Sequence, residues 1–202
     1  MTRDELLDLY RTSGALLEGH FRLTSGLHST GYMQCALVLQ HPPHAEALGR
    51  AIADRVRALR PTVVLSPALG GVVIGQEVGR ALGVRAIFCE RQDGRLALRR
   101  GFTLDSADRV LVVEDVMTTG GSTRETIEVA KAAGGEVVGT ASIVDRSGGT
   151  IRFDVPFSAL LQIALPTYDP AQCPLCAQGV PVVKPGSRQL QDVGIAGLQE
   201  GK

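Results

Sequence analysis

Apolar and polar positions recur along the chain with two periods, and the switches between them mark out the elements. Thr2-x-x-Glu5 is a capping-box pattern ahead of Leu6, Leu7 and Leu9, and Gly14 follows as a stop, which predicts a short first helix. Residues 20–40 are polar, glycine-containing and weakly patterned, as expected for short strands or a loop laid over a site. Ala45 to Leu59 carries apolar residues at helical spacing, ended by Pro61, and Thr62 to Ser66 is a short β-branched run of the buried-strand type. Gly71 to Leu82 reads as a helix and Val84 to Cys89 as a second buried strand. Residues 91–108 are rich in Arg, Gly and Asp without a sustained period, and they read as a long loop with room for short strands. Arg109 to Glu114 is the clearest strand; Ser122 to Ala133 is the helix after it, closed by Gly134-Gly135. Val137 to Val144 and Phe157 to Ala164 read as further strands. The tail from Pro166 is rich in Pro, Gly and Gln, shows no strong element, and is expected to pack back on the N-terminal segment.

Strands alternating with helices predict an α/β fold, a parallel sheet covered on both faces. The 202 residues suit a single domain over 1–202, with a core of about 42–165 and a small hood from about 15–40 and part of the tail. Hydrophobic residues make up 44% and charged residues 21%, a globular and not a disordered balance. Lys+Arg and Asp+Glu both number 21, so no global field draws the chain to nucleic acid or an anionic membrane, and any anion site must be local. No apolar run reaches the roughly 18 residues that span a bilayer, and Met1 to Glu5 lacks a signal-peptide hydrophobic region. A cytoplasmic protein is expected, in which Cys35, Cys89, Cys173 and Cys176 are thiols or metal ligands.

The chemistry concentrates in Val112-Val113-Glu114-Asp115-Val116-Met117-Thr118-Thr119-Gly120-Gly121-Ser122-Thr123, where a buried strand ends in two acids and a Thr/Gly/Ser loop leads into a helix. Ligands of open α/β sheets bind beyond the carboxyl ends of the strands, where this loop lies. The free amides and dipole of the helix N-terminus suit a phosphate, Gly120 and Gly121 let the backbone wrap closely, and Thr118, Thr119, Ser122 and Thr123 add hydroxyls. Glu114 and Asp115 are wrong for a phosphate but right for vicinal ribose hydroxyls, and they set negative charge near a developing sugar cation. Acids followed by a phosphate cradle describe a ribose 5-phosphate site. Glu-Asp alone is equally a helix-capping pair; the ordered string of strand, acids, loop and helix is what separates the two readings.

This string resembles the phosphoribosyl diphosphate signature of the type I phosphoribosyltransferases. The chain from about Leu16 to Arg188 resembles the orotate phosphoribosyltransferases, in particular a branch known from Thermus-like bacteria. The resemblance implies a type I phosphoribosyltransferase fold: a parallel, doubly wound sheet with a small hood. It implies Mg2+-dependent transfer of phosphoribosyl to orotate in pyrimidine (UMP) biosynthesis, with no protein side chain bonded directly to Mg2+. Glu114, Asp115, Val116, Met117, Thr118, Thr119, Gly120, Gly121 and Ser122 would bind phosphoribosyl diphosphate, with Leu69 and Gly70 of the Ser66–Gly71 loop and with Arg91. Thr118 and Arg146 would hold orotate, a guanidinium being suited to a carboxylate. Tyr32 and Met33 fall where the family places an aromatic pair near the base; stacking and core packing are equal readings of them. Glu114, Asp115, Arg91 and Arg95 would carry catalysis, with loop 91–105 closing over the neighbouring active site of a homodimer.

Family lysines are replaced here by Thr24, Gly70, Gln92 and Arg95, and a family histidine by Ala97, so Arg99 and Arg100 are candidates to supply the missing charge. A phosphoribosyltransferase for another base, such as a purine, is the second reading; a purine would have no use for a carboxylate-reading Arg146. A non-catalytic phosphoribosyl-diphosphate-binding regulator should show a basic nucleic-acid-binding element, and the sequence has none. Cys173-Pro174-Leu175-Cys176 is half of a zinc site; Cys35, Cys89 or a histidine would have to complete it, or a dimer combine two halves. His20, His28, His41 and His44 show no metal spacing and read as structural or exposed.

Overall fold

The computed structural model describes residues 1–23 and 25–184, so Thr24 and the tail beyond Lys184 lie outside the described residues. The chain divides into two compact units, one of Met1–Leu16 with Gln34–Ala164 and one of Leu17–Met33 with the chain from Leu165.

The first unit opens with α1 (Arg3–Thr12), started by the expected capping box: Glu5 N donates to Thr2 Oγ1 (3.2 Å) and Thr2 N donates to Glu5 Oε2 (2.7 Å). α2 (Cys35–Leu39) and α3 (Pro42–Val56) follow; the prolines at the start of α3 stand where a missing N–H costs nothing. A 3-10 turn at Arg57–Leu59 and a left-handed Arg60 then turn the chain into β3 (Val63–Pro67). After it come α4 (Gly70–Leu82), β4 (Arg85–Gln92), β5 (Arg95–Leu98), β6 (Arg109–Met117), α5 (Gly121–Ala132), β7 (Glu136–Asp145) and β8 (Phe157–Gln162).

The sheet order is β5-β4-β3-β6-β7-β8, with every pairing parallel except β4–β5. The sheet is therefore mostly parallel rather than wholly so. Part of the expected 91–108 loop is a hairpin: Arg91 pairs with Leu96 and Gln92 with Arg95. Asp93 and Gly94 turn it with φ of 51° and 82°, the two positive values that a tight twisted hairpin turn needs.

Strand side chains alternate between the faces. Val63, Leu65, Val110 and Val112 pack with Ile127 and Ala130 of α5 in one cluster. On the opposite face α4 lies unusually close. A Cβ on Gly75 would collide with Ser66 Oγ, and one on Gly79 would stand 2.9 Å from Ala86 Cβ. Because β4 was laid down on one side of β3 and β6 on the other, the winding reverses between β3 and β6. That reversal point is where open α/β sheets bind ligands.

The second unit is built on β1 (Leu16–Arg22), β2 (His28–Met33) and β9 (Thr167–Tyr168), in the order β1-β2-β9. β2 and β9 are antiparallel, with His28 opposite Tyr168 and Ser29 opposite Thr167. The tail, read from sequence as lacking a strong element, thus contributes a strand, a 3-10 turn at Pro170–Gln172 and the one-turn helix α6 (Pro174–Ala177). It then returns beside β1, where Val183 N donates to His20 O (2.8 Å) and Arg22 N donates to Val183 O (2.8 Å). Gln34 onward belongs to the first unit. No helix among the described residues is long and apolar enough to cross a membrane.

Candidate active site

Val110 to Val113 of β6 are fully buried, and the strand carries this apolar run straight into Glu114 and Asp115 at the sheet's carboxyl edge. Glu114 is also buried, whereas Asp115 is half-buried. Burial first, and the neighbouring Asp115 charge second, push Glu114 up to about 9. Burial thus works against full charge on both adjacent acids, and most strongly against charge on Glu114. Their geometry is held locally, with Asp115 N donating to Glu114 Oε1 (3.3 Å) and Val116 N to Asp115 Oδ1 (2.9 Å).

Beyond Met117 the chain leaves the sheet. Thr118, Thr119, Gly121 and Ser122 are exposed, and Gly120 between them is buried with φ 75°. A Cβ on Gly120 would also come within 3.1 Å of the Phe153 ring, so both backbone angle and space require glycine there. α5 then starts with no side-chain cap and no acid in its first turn, which leaves its leading amides open to an anion. Arg124 braces the loop from behind, donating to Thr119 O (2.7 Å) and Arg152 O (3.0 Å) over the face of Phe153 (5.1 Å).

The loop from β3 to α4 lies directly beside these acids. A Cβ on Gly70 would stand 2.6 Å from Asp115 Oδ1, and one on Gly71 would stand 2.9 Å from Val113 O. Gly70 and Gly71 thus permit a backbone-to-carboxylate approach that any side chain would block. The Ala68–Leu69 peptide is cis, and Leu69 is exposed. An open depression of about 380 Å³ lies between Leu69, Gly70 and Val73 on one side and Gln34, Ala36 and Gln40 on the other, with Asp115 in its wall. Behind Asp115, Cys35 lies buried, its Sγ 3.9 Å from Asp115 O and 2.7 Å from Tyr10 Oη; burial, then the Asp115 charge, raise the thiol well above its ordinary value.

Arg146 follows β7 as Thr118 follows β6, and Arg146 N donates to Met117 O (2.8 Å), so the two leave adjacent strands side by side. Asp145 before it is buried and accepts from Ser147 N (2.8 Å) and Gln162 Nε2 (3.2 Å). Burial alone would raise its carboxyl; the hydrogen bonds from Ser147, Gln162 and Gly149 outweigh that and hold it below its ordinary value.

The first unit therefore brings together Glu114 to Ser122, Leu69, Gly70 and Arg146. Arg91 and Arg95 sit apart on the β4–β5 hairpin: Arg91 pairs with Glu125 of α5 (3.1 Å) and Arg95 is exposed. Arg100 is held by Glu90 (2.7 Å) and lies over Phe88. Tyr32 and Met33 belong to β2 of the second unit, Tyr32 half-buried near Phe21 (6.1 Å between ring centroids) and Met33 buried. Cys173 and Cys176 are in the second unit too, joined there by His20 and His28. Those histidines come from two strands far from the cysteines in sequence, so no spacing pattern could have shown the grouping. The hairpin did have a signal, Asp93-Gly94 between Gln92 and Arg95.

The model of the phosphoribosyl transferase domain matches residues 36–167. The orotate phosphoribosyltransferase of Heliobacterium modesticaldum is 55% identical over 190 residues, 93% of this chain and all of that protein. That of Desulforamulus reducens is 53% identical over 190 residues, 94% of this chain and again all of its own. Among solved structures, Mycobacterium tuberculosis orotate phosphoribosyltransferase in complex with 5-phospho-α-D-ribosyl 1-diphosphate superposes with a TM-score of 0.62 at 26% identity, over 80% of this chain and 96% of that one. A mostly parallel sheet reversing between β3 and β6, two loops meeting at Asp115 and these likenesses agree: the chain belongs to the phosphoribosyltransferase family and, within it, to the orotate phosphoribosyltransferases.

Proposed function

We propose that this chain transfers the 5-phosphoribosyl group from phosphoribosyl diphosphate to N1 of orotate, giving orotidine 5'-phosphate and diphosphate in pyrimidine (UMP) biosynthesis. The observation that carries the reading is the pair Glu114–Asp115 set between an uncapped helix N-terminus and the Gly70–Gly71 backbone. Leading amides of α5, with Thr118, Thr119 and Ser122, would take the 5-phosphate. Glu114 and Asp115 would hold the vicinal ribose hydroxyls. Backbone at Leu69 and Gly70 faces the diphosphate in this reading. Arg146 would pair with the orotate carboxylate beside Thr118.

The bond from C1 of ribose to the diphosphate oxygen breaks with its electron pair leaving on diphosphate, and N1 of orotate supplies the pair for the new bond. The sugar passes through an oxocarbenium-like state, as in glycoside hydrolysis, and no protein nucleophile is required. The chain's work is positioning, charge placement and water exclusion. Asp115 sets a carboxylate in the wall of the depression, which suits Mg2+; it would hold the ion through its water shell, and the ion would offset charge on the departing diphosphate. The proposal includes a cytoplasmic homodimer in which the Arg91–Arg95 hairpin reaches the neighbouring site; the hairpin's position at the sheet edge and the exposure of Arg95 support it.

The test is product analysis by 31P NMR with orotate, phosphoribosyl diphosphate and Mg2+. Orotidine 5'-phosphate and diphosphate should appear in equal amounts, and Asp115→Ala should lose on the order of a hundredfold or more in kcat while keeping the wild-type circular dichroism. Release of diphosphate without nucleotide, or near-normal rates in the folded variant, would contradict the assignment.

A further inference from the structure

The described part of the second unit is poor in apolar core. Among its described residues only Phe21, Met33 and Cys173 are buried apolar side chains. The unit spans 55 residues, Leu17–Met33 with Leu165–Lys202, and natural units this small often add a disulfide or a metal to a limited core. Its four metal-binding side chains supply the alternative. His20 of β1, His28 of β2 and Cys173 are buried, and Cys176 one helical turn on is at the surface.

Their donor atoms converge on one point. All lie within 4.8 Å of one another. His20 Nε2 is 2.8 Å from His28 Nδ1, 3.4 Å from Cys173 Sγ and 3.8 Å from Cys176 Sγ, and His28 Nδ1 is 3.3 Å from Cys176 Sγ. One ring nitrogen can direct a single lone pair or N–H toward one partner, so hydrogen bonding does not explain three neighbours gathered around it. A tetrahedral zinc ion at about 2.0–2.1 Å from nitrogen and about 2.3 Å from sulfur sets its ligands about 3.3 Å apart for two nitrogens, about 3.6 Å for nitrogen and sulfur and about 3.8 Å for two sulfurs. The nitrogen–sulfur separations match this to within a few tenths of an ångström, and the nitrogen pair stands somewhat inside it.

The surroundings also fit. His20 Nδ1 is 2.7 Å from Val180 O, a carbonyl that can only accept. The proton is thereby fixed on Nδ1, and the Nε2 lone pair faces the cluster, as outer hydrogen bonds orient metal-bound histidines. Asp169 caps the turn before Cys173, accepting from Ala171 N (2.9 Å), and Ala177 N donates to Cys173 O (3.1 Å), which fixes the loop that presents both thiols.

From this juxtaposition we infer that His20, His28, Cys173 and Cys176 form a structural zinc site that ties β1 and β2 to the C-terminal turn. Two cysteines and two histidines fill the four positions zinc prefers in structural sites, leaving none open for catalysis. The ion would lock the Leu17–Met33 segment to the chain after Leu165 and act through folding.

The experiment uses the full chain, purified without chelator under reducing conditions. Elemental analysis should find about one zinc per chain, and Co2+ exchange should give the intense visible bands of a tetrahedral thiolate site. Cys176→Ser, at the exposed corner, and His28→Ala should each lose the metal and lower the melting temperature. Chelator in Mg2+-free buffer should lower the wild-type melting temperature and leave that of Cys176→Ser unchanged. Cys89→Ser, outside the cluster, should keep its zinc. Absence of zinc together with no Co2+ spectrum in the reduced, folded protein overturns the site, as does full metal retention by Cys176→Ser and His28→Ala.

Discussion

Glu114 and Asp115 are adjacent acids in different settings, one buried and the other opening on the depression. Removing the charge of Asp115 should cost turnover; Arg146 should matter differently. A guanidinium that reads a carboxylate contributes to one substrate only. Arg146→Ala should therefore raise the KM for orotate by about 10- to 100-fold, the scale of a charge-assisted pair, and move that for phosphoribosyl diphosphate far less. Steady-state kinetics with each substrate varied in turn reads the difference, and equal rises in both constants would remove Arg146 from the orotate pocket. Glu114, Asp115 and the loop to Ser122 were legible in the sequence because strand, acids, glycines and helix are consecutive. The charge state of Glu114 was not, since it depends on burial that only the packed sheet supplies.

At the scale of elements, helices and strands with strong local signals stood where their patterns placed them. The capping box of α1, the glycine stop after α5 and the β-branched runs of β3 and β6 each act within a few residues. β9 is two residues long and exists through its pairing with β2, so no local pattern could announce it. The close seating of α3 on α4 was likewise hidden. A Cβ on Gly49 would stand 2.6 Å from Glu77 Cβ and 2.8 Å from its backbone carbon, and backbone cannot give way cheaply. Alanine in a helix is ordinarily favoured over glycine by about 1 kcal/mol. Gly49→Ala should nonetheless destabilise by about 1–3 kcal/mol, the range for overpacking, seen as a lower melting temperature. A melting temperature at or above wild type would show that α3 and α4 have room between them.

The whole molecule raises the question of which hairpin serves which site. Arg95 is exposed at the sheet edge, and the proposal has it act on a neighbouring subunit. In that arrangement two defective chains can repair one another. Arg95→Ala and Asp115→Ala, each inactive alone, should recover about a quarter of wild-type activity when unfolded together and refolded in equal amounts, because mixed dimers carry one intact site. Recovery no greater than the sum of the two would place the hairpin's action within its own chain.

The central claim is the reaction itself, and the most direct measurement is the rate of orotate consumption by absorbance, with Mg2+ and phosphoribosyl diphosphate. Adenine, hypoxanthine, xanthine and uracil are assayed beside it. The account predicts turnover of orotate and none of the other bases above background, with arginines in place of the family's lysines. Turnover of a purine in preference to orotate, or of no base by a protein that still binds phosphoribosyl diphosphate, would contradict it.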